Sequence, residues 1–286
     1  MARELLPMVR QALGDRYRVT REIGRGGAAR VFEATDAEGR RVALKVLHPQ
    51  LLASVTADRF LREIHFVASL DHPHIARLLD YGEEDWIVYC TMDFVEGPTL
   101  KQHLRSVRRM SVSDTLRTAG DLLDALGYAH AQGIVHRDVK PDNIMLSPEG
   151  AVLVDFGIAK AVAATGNDRL TRSGFAVGTS AYMSPEQIAG SEDIDSRSDL
   201  YSLGCVLFEC LAGRPPFDDP LEELVLHMHQ HQEAPDVRTF RADTPPALAM
   251  LIARALAKPR ETRFQSAAEM VAGLRDAPGT EETRRR

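Results

Sequence analysis

His136-Arg137-Asp138-Val139-Lys140-Pro141-Asp142-Asn143, with Asp155-Phe156-Gly157 beginning twelve residues after Asn143, is the stretch that decides how this chain reads. An apolar run of helical spacing ends near His130, and a short β pattern at 151–154 lies between the two parts. The stretch therefore sits on a loop leading to a strand, where a rigid scaffold can present reactive groups. Carboxylates at 138, 142 and 155 stand with the cation Lys140 and the amide Asn143. A solvated turn would be the bland reading of an arbitrary charged loop, and the order of these residues argues against it.

Upstream, Leu116, Ala119, Leu122, Leu123, Leu126 and Ala129 recur at helical spacing over 113–131, with Ser111 or Ser113 as N-cap and Gly133 beyond the end. This is a core helix that would hold the loop at a fixed height. Nearer the N-terminus the period is two. Residues 17–23 alternate, Gly24-Arg25-Gly26-Gly27-Ala28-Ala29-Arg30 turns, and 31–36 returns, which predicts a hairpin with a glycine-rich tip. Such a tip lets backbone N–H groups approach phosphate oxygens, although glycine clusters also serve plain turns. Arg41-Val42-Ala43-Leu44-Lys45-Val46-Leu47 reads as a strand whose lone lysine would, without context, snorkel to a sheet edge. Phe60, Ile64, Val67 and Ala68 give a helix its buried face, and His72-Pro73 ends it. Strands are expected at 75–81 and 86–92 around Gly82-Glu83-Glu84-Asp85, and Glu96-Gly97-Pro98 breaks the chain. At the start, Leu5, Leu6, Val9 and Leu13 share a helix face, with Pro7 limiting its length and Gly14 as C-terminal cap.

Downstream of Asp155 the chain has little periodicity until Glu186, and a mobile loop is the plain reading of that segment. The most apolar helix follows at 196–211, with Asp199 near its positive end. His227, His229 and His231 invite a metal reading, but no cysteine or carboxylate ligand set accompanies them. Helices at 246–257 and 266–274 precede a polar tail at 278–286.

A chain of 286 residues, 44% hydrophobic and 27% charged, suits one large domain or two lobes with a substantial core. A net charge of −6 argues against nucleic acid as the main partner, since neutralising phosphates needs a basic surface. Cys90, Cys205 and Cys210 lie in apolar runs without zinc-site spacing and read as buried free thiols of a reducing compartment. The N-terminus lacks a signal-peptide core, and no run approaches the roughly 18 apolar residues of a membrane span. A cytoplasmic location is therefore expected.

His-Arg-Asp-x-Lys-x-x-Asn followed by Asp-Phe-Gly resembles the catalytic and metal-binding loops of protein kinases. Together with the Arg25-Gly26-Gly27 tip and Gly178-Thr179-Ser180-Ala181-Tyr182-Met183-Ser184-Pro185-Glu186, it is most similar to the bacterial eukaryotic-like (Hanks-type) Ser/Thr kinases, over residues 17 to about 276. The resemblance implies an α+β, bilobal fold: a small β-rich N-lobe with one long helix at 17–95 and a larger, mainly helical C-lobe at 96–276. A lead-in at 1–16 and a tail or linker start at 277–286 flank them. In that family the kinase domain often precedes a membrane span and sensor region, so the chain is expected to be a cytoplasmic domain, whether or not of a longer membrane-anchored protein.

The roles of particular residues follow from the resemblance. Asp138 takes the acceptor hydroxyl proton, Lys140 neutralises the γ-phosphate, and Asn143 and Asp155 hold Mg²⁺, for which Mn²⁺ can substitute. Lys45 pairs the α- and β-phosphates of ATP and is steered by Glu63. The nucleotide-binding set is Gly24, Gly26, Gly27, Val31, Ala43, Lys45, Met92, Asp93, Val95, Met145 and Asp155. In it Val31 lies on the adenine, Met92 guards the back of the pocket, and 93–95 form the hinge. Asp-x-Lys in the loop and Thr179, which contacts Asp138 and Lys140, go with Ser/Thr acceptors. Thr171 and Ser173 are the implied phosphoacceptors of an activation loop, with Arg137 as the phosphate's partner, giving control by autophosphorylation. Asp199 ties the loop backbone, and Arg263 pairs with Glu186. Two departures are visible: Ala29 replaces the third glycine of the phosphate loop, and Ser184 replaces the alanine of Ala-Pro-Glu. The implied partners are ATP and protein substrates, including a second copy of the chain, and a homodimer through the small lobes rests on resemblance alone. A nucleotide-binding scaffold and a kinase of small metabolites are the competing readings. Intact Lys45, Asp138, Asn143 and Asp155 weigh against the first, and the threonine and Ser-Pro-Glu segments against the second.

Overall fold

The computed structural model describes residues 5–26, 29–47, 64–65, 67–156 and 180–275. Gly27, Glu63, Thr171, Ser173 and Thr179 lie outside them. The described residues fall into two compact units, one up to Val95 and the other from Glu96 onward.

The first unit is an antiparallel sheet of five strands, β1 (Arg18–Arg25), β2 (Ala29–Thr35), β3 (Arg41–Leu47), β4 (Leu78–Glu84) and β5 (Ile87–Asp93), in the order β1-β2-β3-β5-β4. Because successive side chains alternate across a strand, the apolar residues sort onto two faces. Phe32, Ala34, Val42, Leu44, Val46, Ile87 and Tyr89 pack with Leu5, Val9 and Leu13 of helix α1 (Leu5–Leu13). Ala29, Leu47, Val88, Cys90 and Met92 pack with Ile64 on the other side. Covered on both faces and paired on both edges, β5 is buried at every residue from Ile87 to Met92.

α1 is short, nine residues, with Pro7 near its described start, where a backbone N–H has no intrahelical acceptor to lose. Two local expectations need correction. Gly14 is not a left-handed cap. Its lack of a side chain matters sterically, since a Cβ there would lie 2.6 Å from the Arg10 carbonyl oxygen. The β4–β5 connection is shorter than expected: Gly82 to Glu84 belong to β4, and Asp85 and Trp86 alone make the turn, at φ +46° and +66°. Two left-handed residues match the twist of a two-residue hairpin, and Trp86 is consequently thrown into solvent rather than placed in a strand.

The second unit is helical: α2 (Leu100–Val107), α3 (Val112–Ala131), α4 (Pro185–Ile188), α5 (Ser196–Ala212), α6 (Glu222–His231), α7 (Pro246–Ala255) and α8 (Ala267–Arg275), with one small hairpin of β6 (Ile144–Ser147) and β7 (Gly150–Leu153). α5 is buried from Ser198 to Ala212, as an all-round apolar sequence requires, and α3 and α7 pack directly on it. Ser111 is the N-cap of α3, its hydroxyl accepting the Asp114 N–H at 2.9 Å. Gly97, at φ +125°, passes so close to Leu146 that a Cβ would sit 2.0 Å from that residue's carbonyl oxygen. No helix among the described residues is long and apolar enough to cross a membrane.

Candidate active site

In the first unit, strand register decides which of the nucleotide-set residues share a surface. Val31 of β2 opposes Lys45 of β3, which opposes Cys90 of β5, and the next row runs through Glu33, Ala43 and Met92. Val31, Ala43, Lys45 and Met92 therefore lie on one face of the sheet, opposite the face α1 covers. Gly24 pairs with Val31 across β1 and β2, next to an irregularity in register between Glu22 and Gly24. The Gly26 N–H closes the described part of the tip on the Ala29 carbonyl at 2.9 Å. The main chain of Asp93 accepts no such freedom: its N–H bonds the Arg77 carbonyl at 3.0 Å, and its carboxylate takes the Arg77 N–H at 3.2 Å.

In the second unit the loop 136–143 leads through a 3₁₀ turn, Pro141–Asn143, into β6, which carries Met145. One oxygen of Asp138, Oδ2, receives both the Lys140 ammonium at 2.8 Å and the Asn143 Nδ2 at 2.8 Å. Nδ2 also bonds the Asp138 carbonyl at 2.9 Å, so both amide hydrogens of Asn143 are committed to Asp138. That orients its Oδ1 as the atom a cation would meet. The Asn143 carbonyl accepts the Val154 N–H at 3.0 Å, which fixes Asn143 beside the backbone that leads into Asp155.

Asp199 holds the loop from α5. Its buried carboxylate accepts the backbone N–H groups of His136 and Arg137, each at 2.8 Å, and the ring of His130 at 2.8 Å. The helix cap is a different residue, Asp195, which accepts the Arg197 N–H at 2.9 Å. His136 is fully buried and bridges the loop to the backbone before Asp155: its Nδ1 accepts the Asp138 N–H at 3.2 Å, and its Nε2 faces the Val154 carbonyl at 3.1 Å. Accepting at Nδ1 leaves the ring proton on Nε2. The ring also packs against Phe156 at a tilt, with centroids 4.5 Å apart.

Arg137 and Asp155 both adopt φ +67°, a left-handed conformation that costs a non-glycine residue on the order of 1–3 kcal/mol. The surrounding bonds over-determine both. Arg137 has its N–H on Asp199 and its carbonyl on the Gln187 side chain at 2.8 Å. Asp155 is flanked by Val154, bonded at both N–H and C=O, and by the buried Phe156.

Gln187 belongs to α4, where Ser184 and Gln187 form a reciprocal capping box. The neighbouring Glu186 meets Arg263 in a two-pronged pair, 2.8 and 2.9 Å, with Arg263 fully buried, bonded to the carbonyls of Ala257 and Lys258, and lying 4.8 Å over the Tyr201 ring. Burial alone would raise the Glu186 carboxyl, but the bonds from Arg263 and Ser198 hold it below the usual range. Next to this, the Tyr182 hydroxyl donates to Glu209, and Lys101 approaches both at 3.4 and 3.5 Å.

The sequence reading gave no part to His136, Gln187, Lys101 or Asp195. His136 stood inside the quoted stretch and Asp195 just before the apolar helix, whereas Gln187 and Lys101 act only through contacts across the fold. Of the three histidines of α6, the rings of His227 and His231 lie 4.7 Å apart while His229 is buried, and among the described residues no cluster of three metal-binding side chains occurs.

The family model described as protein kinase domain matches residues 17–272. The chain is 42% identical over 267 residues to a probable serine/threonine-protein kinase of Streptomyces coelicolor, covering 90% of this chain and 39% of that protein. It is 41% identical over 273 residues to the serine/threonine-protein kinase PknB of Mycolicibacterium smegmatis, covering 92% and 43%. The chain thus spans about two fifths of the length of these curated relatives. A match that runs through both units and takes in the whole of the loop built around Asp138 leaves one conclusion, that the chain belongs to the protein kinase domain family.

Proposed function

We propose that the chain transfers the γ-phosphate of ATP to serine and threonine hydroxyls of proteins. The observation that carries this reading is the convergence of Lys140 and Asn143 on a single oxygen of Asp138, which leaves Oδ1 to accept a proton. The acceptor oxygen forms a bond to the γ-phosphorus as the bridging oxygen of the nucleoside diphosphate leaves, and Asp138 takes the hydroxyl proton. Lys140, held beside Asp138, faces the incoming charge. Positioning of this kind can supply about 7–11 kcal/mol, against about 3–5 kcal/mol for general-base help, so geometry carries most of the barrier reduction.

The donor set suits a hard divalent cation: an amide oxygen whose NH₂ is committed elsewhere and the carboxylate of Asp155. Asn143 and Asp155 would hold Mg²⁺ or Mn²⁺, which would offset charge on the phosphate oxygens. From the first unit, Gly24, Gly26 and Gly27 would approach the phosphates, and Val31, Ala43 and Met92 would enclose the adenine, with Met145 of the second. Asp93 and Val95 would offer the hinge backbone, and Lys45, steered by Glu63, would pair the α- and β-phosphates. The boundary between a nucleotide-binding part at 17–95 and an acceptor-binding part at 96–276 belongs to this reading.

Thr179 supports Ser/Thr acceptors, and autophosphorylation at Thr171 or Ser173 is the proposed control. Arg137 is suited to receive that phosphate, since its buried Nε has no hydrogen-bond partner among the described residues. A cytoplasmic setting and pairing of two copies through their first units complete the proposal. Intact-mass measurement after incubation with ATP and Mg²⁺ tests it. Phosphate adducts on the wild type at Thr171 or Ser173, and none on Asp138→Asn, are expected. ATP binding without transfer, even to added protein substrates, would favour a scaffold.

A further inference from the structure

α6 turns two of its histidines to solvent as a pair. Its buried positions are Val225 and His229, four residues apart and so on one face, and the helix packs against α4 and the 3₁₀ turn Ser180–Tyr182. At about 100° per residue, a position two residues further on lies roughly on the far side of the helix. His227 and His231 occupy those positions, and both are exposed. Their rings lie 4.7 Å apart between centres, tilted by 50°. Neither ring hydrogen-bonds a described residue, whereas the ring of His229 lies 2.9 Å from the Tyr201 hydroxyl on the inner face.

A basic group in the last turn of a helix is favoured by the dipole, and that accounts for an exposed histidine there taken alone. It does not account for the contact, because two imidazolium ions four residues apart repel. As neutral rings they offer two nitrogen lone pairs from one rigid face, and imidazole is the commonest metal ligand. A metal–nitrogen bond of about 2.0–2.1 Å, with about 1.1 Å more to the ring centre, puts each centre about 3.2 Å from a shared ion. Centres 4.7 Å apart then subtend about 95° at that ion. The angle falls between the right angle of square or octahedral ligation and the wider tetrahedral one. Both rings therefore reach one ion by side-chain rotation, with the helix unmoved.

We propose that His227 and His231 form a two-ligand site for a borderline divalent transition-metal ion such as Zn²⁺, Ni²⁺ or Cu²⁺, with water in the remaining positions. Two coordinated waters leave as the two imidazole nitrogens bind, and no electron changes hands. Among the described residues no group of three metal-binding side chains occurs, so the ion keeps open positions and stays exchangeable. That sets it apart from a closed structural zinc site, which takes four protein ligands. Ligand softness sets it apart from the proposed Asn143 and Asp155 pair, whose oxygen donors suit Mg²⁺. No group of the phosphate-transfer reading belongs to the site, so each stands without the other.

Isothermal titration of the untagged chain with Zn²⁺, in excess Mg²⁺ and without nucleotide, tests the site. The wild type should bind one Zn²⁺ with an affinity that His227→Ala and His231→Ala each lower roughly a hundredfold, since the second nitrogen binds within the same molecule. His231→Ala combined with Gln232→His keeps the number of histidines but moves one off the shared face, and it should bind as weakly as the single variants. Equal affinity in the wild type and the single variants, or full affinity in the spacing variant, overturns the proposal. Exposed helix positions accept alanine readily, and circular dichroism checks that the variants are folded. Imidazole proton spectra give a second reading that needs no variant. Substoichiometric Ni²⁺, which is paramagnetic, should broaden the His227 and His231 signals first, and broadening that begins at other histidines overturns the proposal.

Discussion

The loop at 136–143 and the hairpin of β1 and β2 are proposed to serve the same triphosphate, and they are built in opposite ways. In the loop, the N–H groups of His136, Arg137 and Asp138 and the carbonyls of Arg137 and Asp138 all meet buried or half-buried side chains. In the hairpin, ladder pairing stops at Arg25 and Arg30, and the described part of the tip is closed by a single bond from Gly26 to the Ala29 carbonyl. A base and a cation-holding amide lose their worth if they drift by an ångström. A phosphate loop must instead admit and release a nucleotide, and backbone without side chains suits that task.

The comparison is broken most severely by removing the framework beneath the loop. Arg263→Ala would strand Glu186 in the interior and leave two carbonyls without their donor, and should cost about 3–5 kcal/mol in denaturant unfolding. Lysine should not rescue it, because it cannot make the two-pronged pair. Asp199→Ala leaves the N–H groups of His136 and Arg137 unmet. Its kcat should fall roughly a hundredfold, equivalent to about 3 kcal/mol, with ATP affinity nearly unchanged, since the hairpin is untouched. Equal losses in kcat and ATP affinity would show that the two regions are not independent.

Acid should weaken the same framework. The Glu186 carboxyl titrates lower in the fold than in the unfolded chain, so its contribution is present above the ordinary carboxylate pKa and is lost as pH falls through the folded value. Lys258 has the opposite history: burial lowers it to about 8, so the unfolded chain binds the extra proton and stability should rise between pH 8 and about 10.5. Unfolding midpoints of Glu186→Gln and Lys258→Met against pH separate the two. The smallest effect is expected at the hairpin. A Cβ at Gly26 would meet only the Ala29 oxygen at an ordinary 3.7 Å, so Gly26→Ala should leave unfolding within about 1 kcal/mol of wild type while the KM for ATP rises.

The elements that sequence spacing made legible are those with a repeating apolar pattern or a local cap. α3 follows from its leucine spacing and Ser111, and Lys45 among alternating β-branched and apolar residues already implied one sheet face. The Glu186–Arg263 pair and the tie from Asp199 to the loop were reached through resemblance, and both bonds are present. What stayed illegible acts by tertiary contact. Nothing near Gln187 or Lys101 in sequence announces Arg137 or Glu209. The Asp85-Trp86 turn was missed because neither residue is a glycine, although both take glycine-like φ. Glu63, Gly27, Thr171, Ser173 and Thr179 lie outside the described residues.

That turn carries a practical consequence. Trp86 is the chain's sole tryptophan and is 85% exposed. Its emission should already resemble that of an unfolded chain, so intrinsic fluorescence will be nearly blind to global melting and circular dichroism is the better probe. The same indole becomes a low-background optical reporter for anything that settles on the β4–β5 edge.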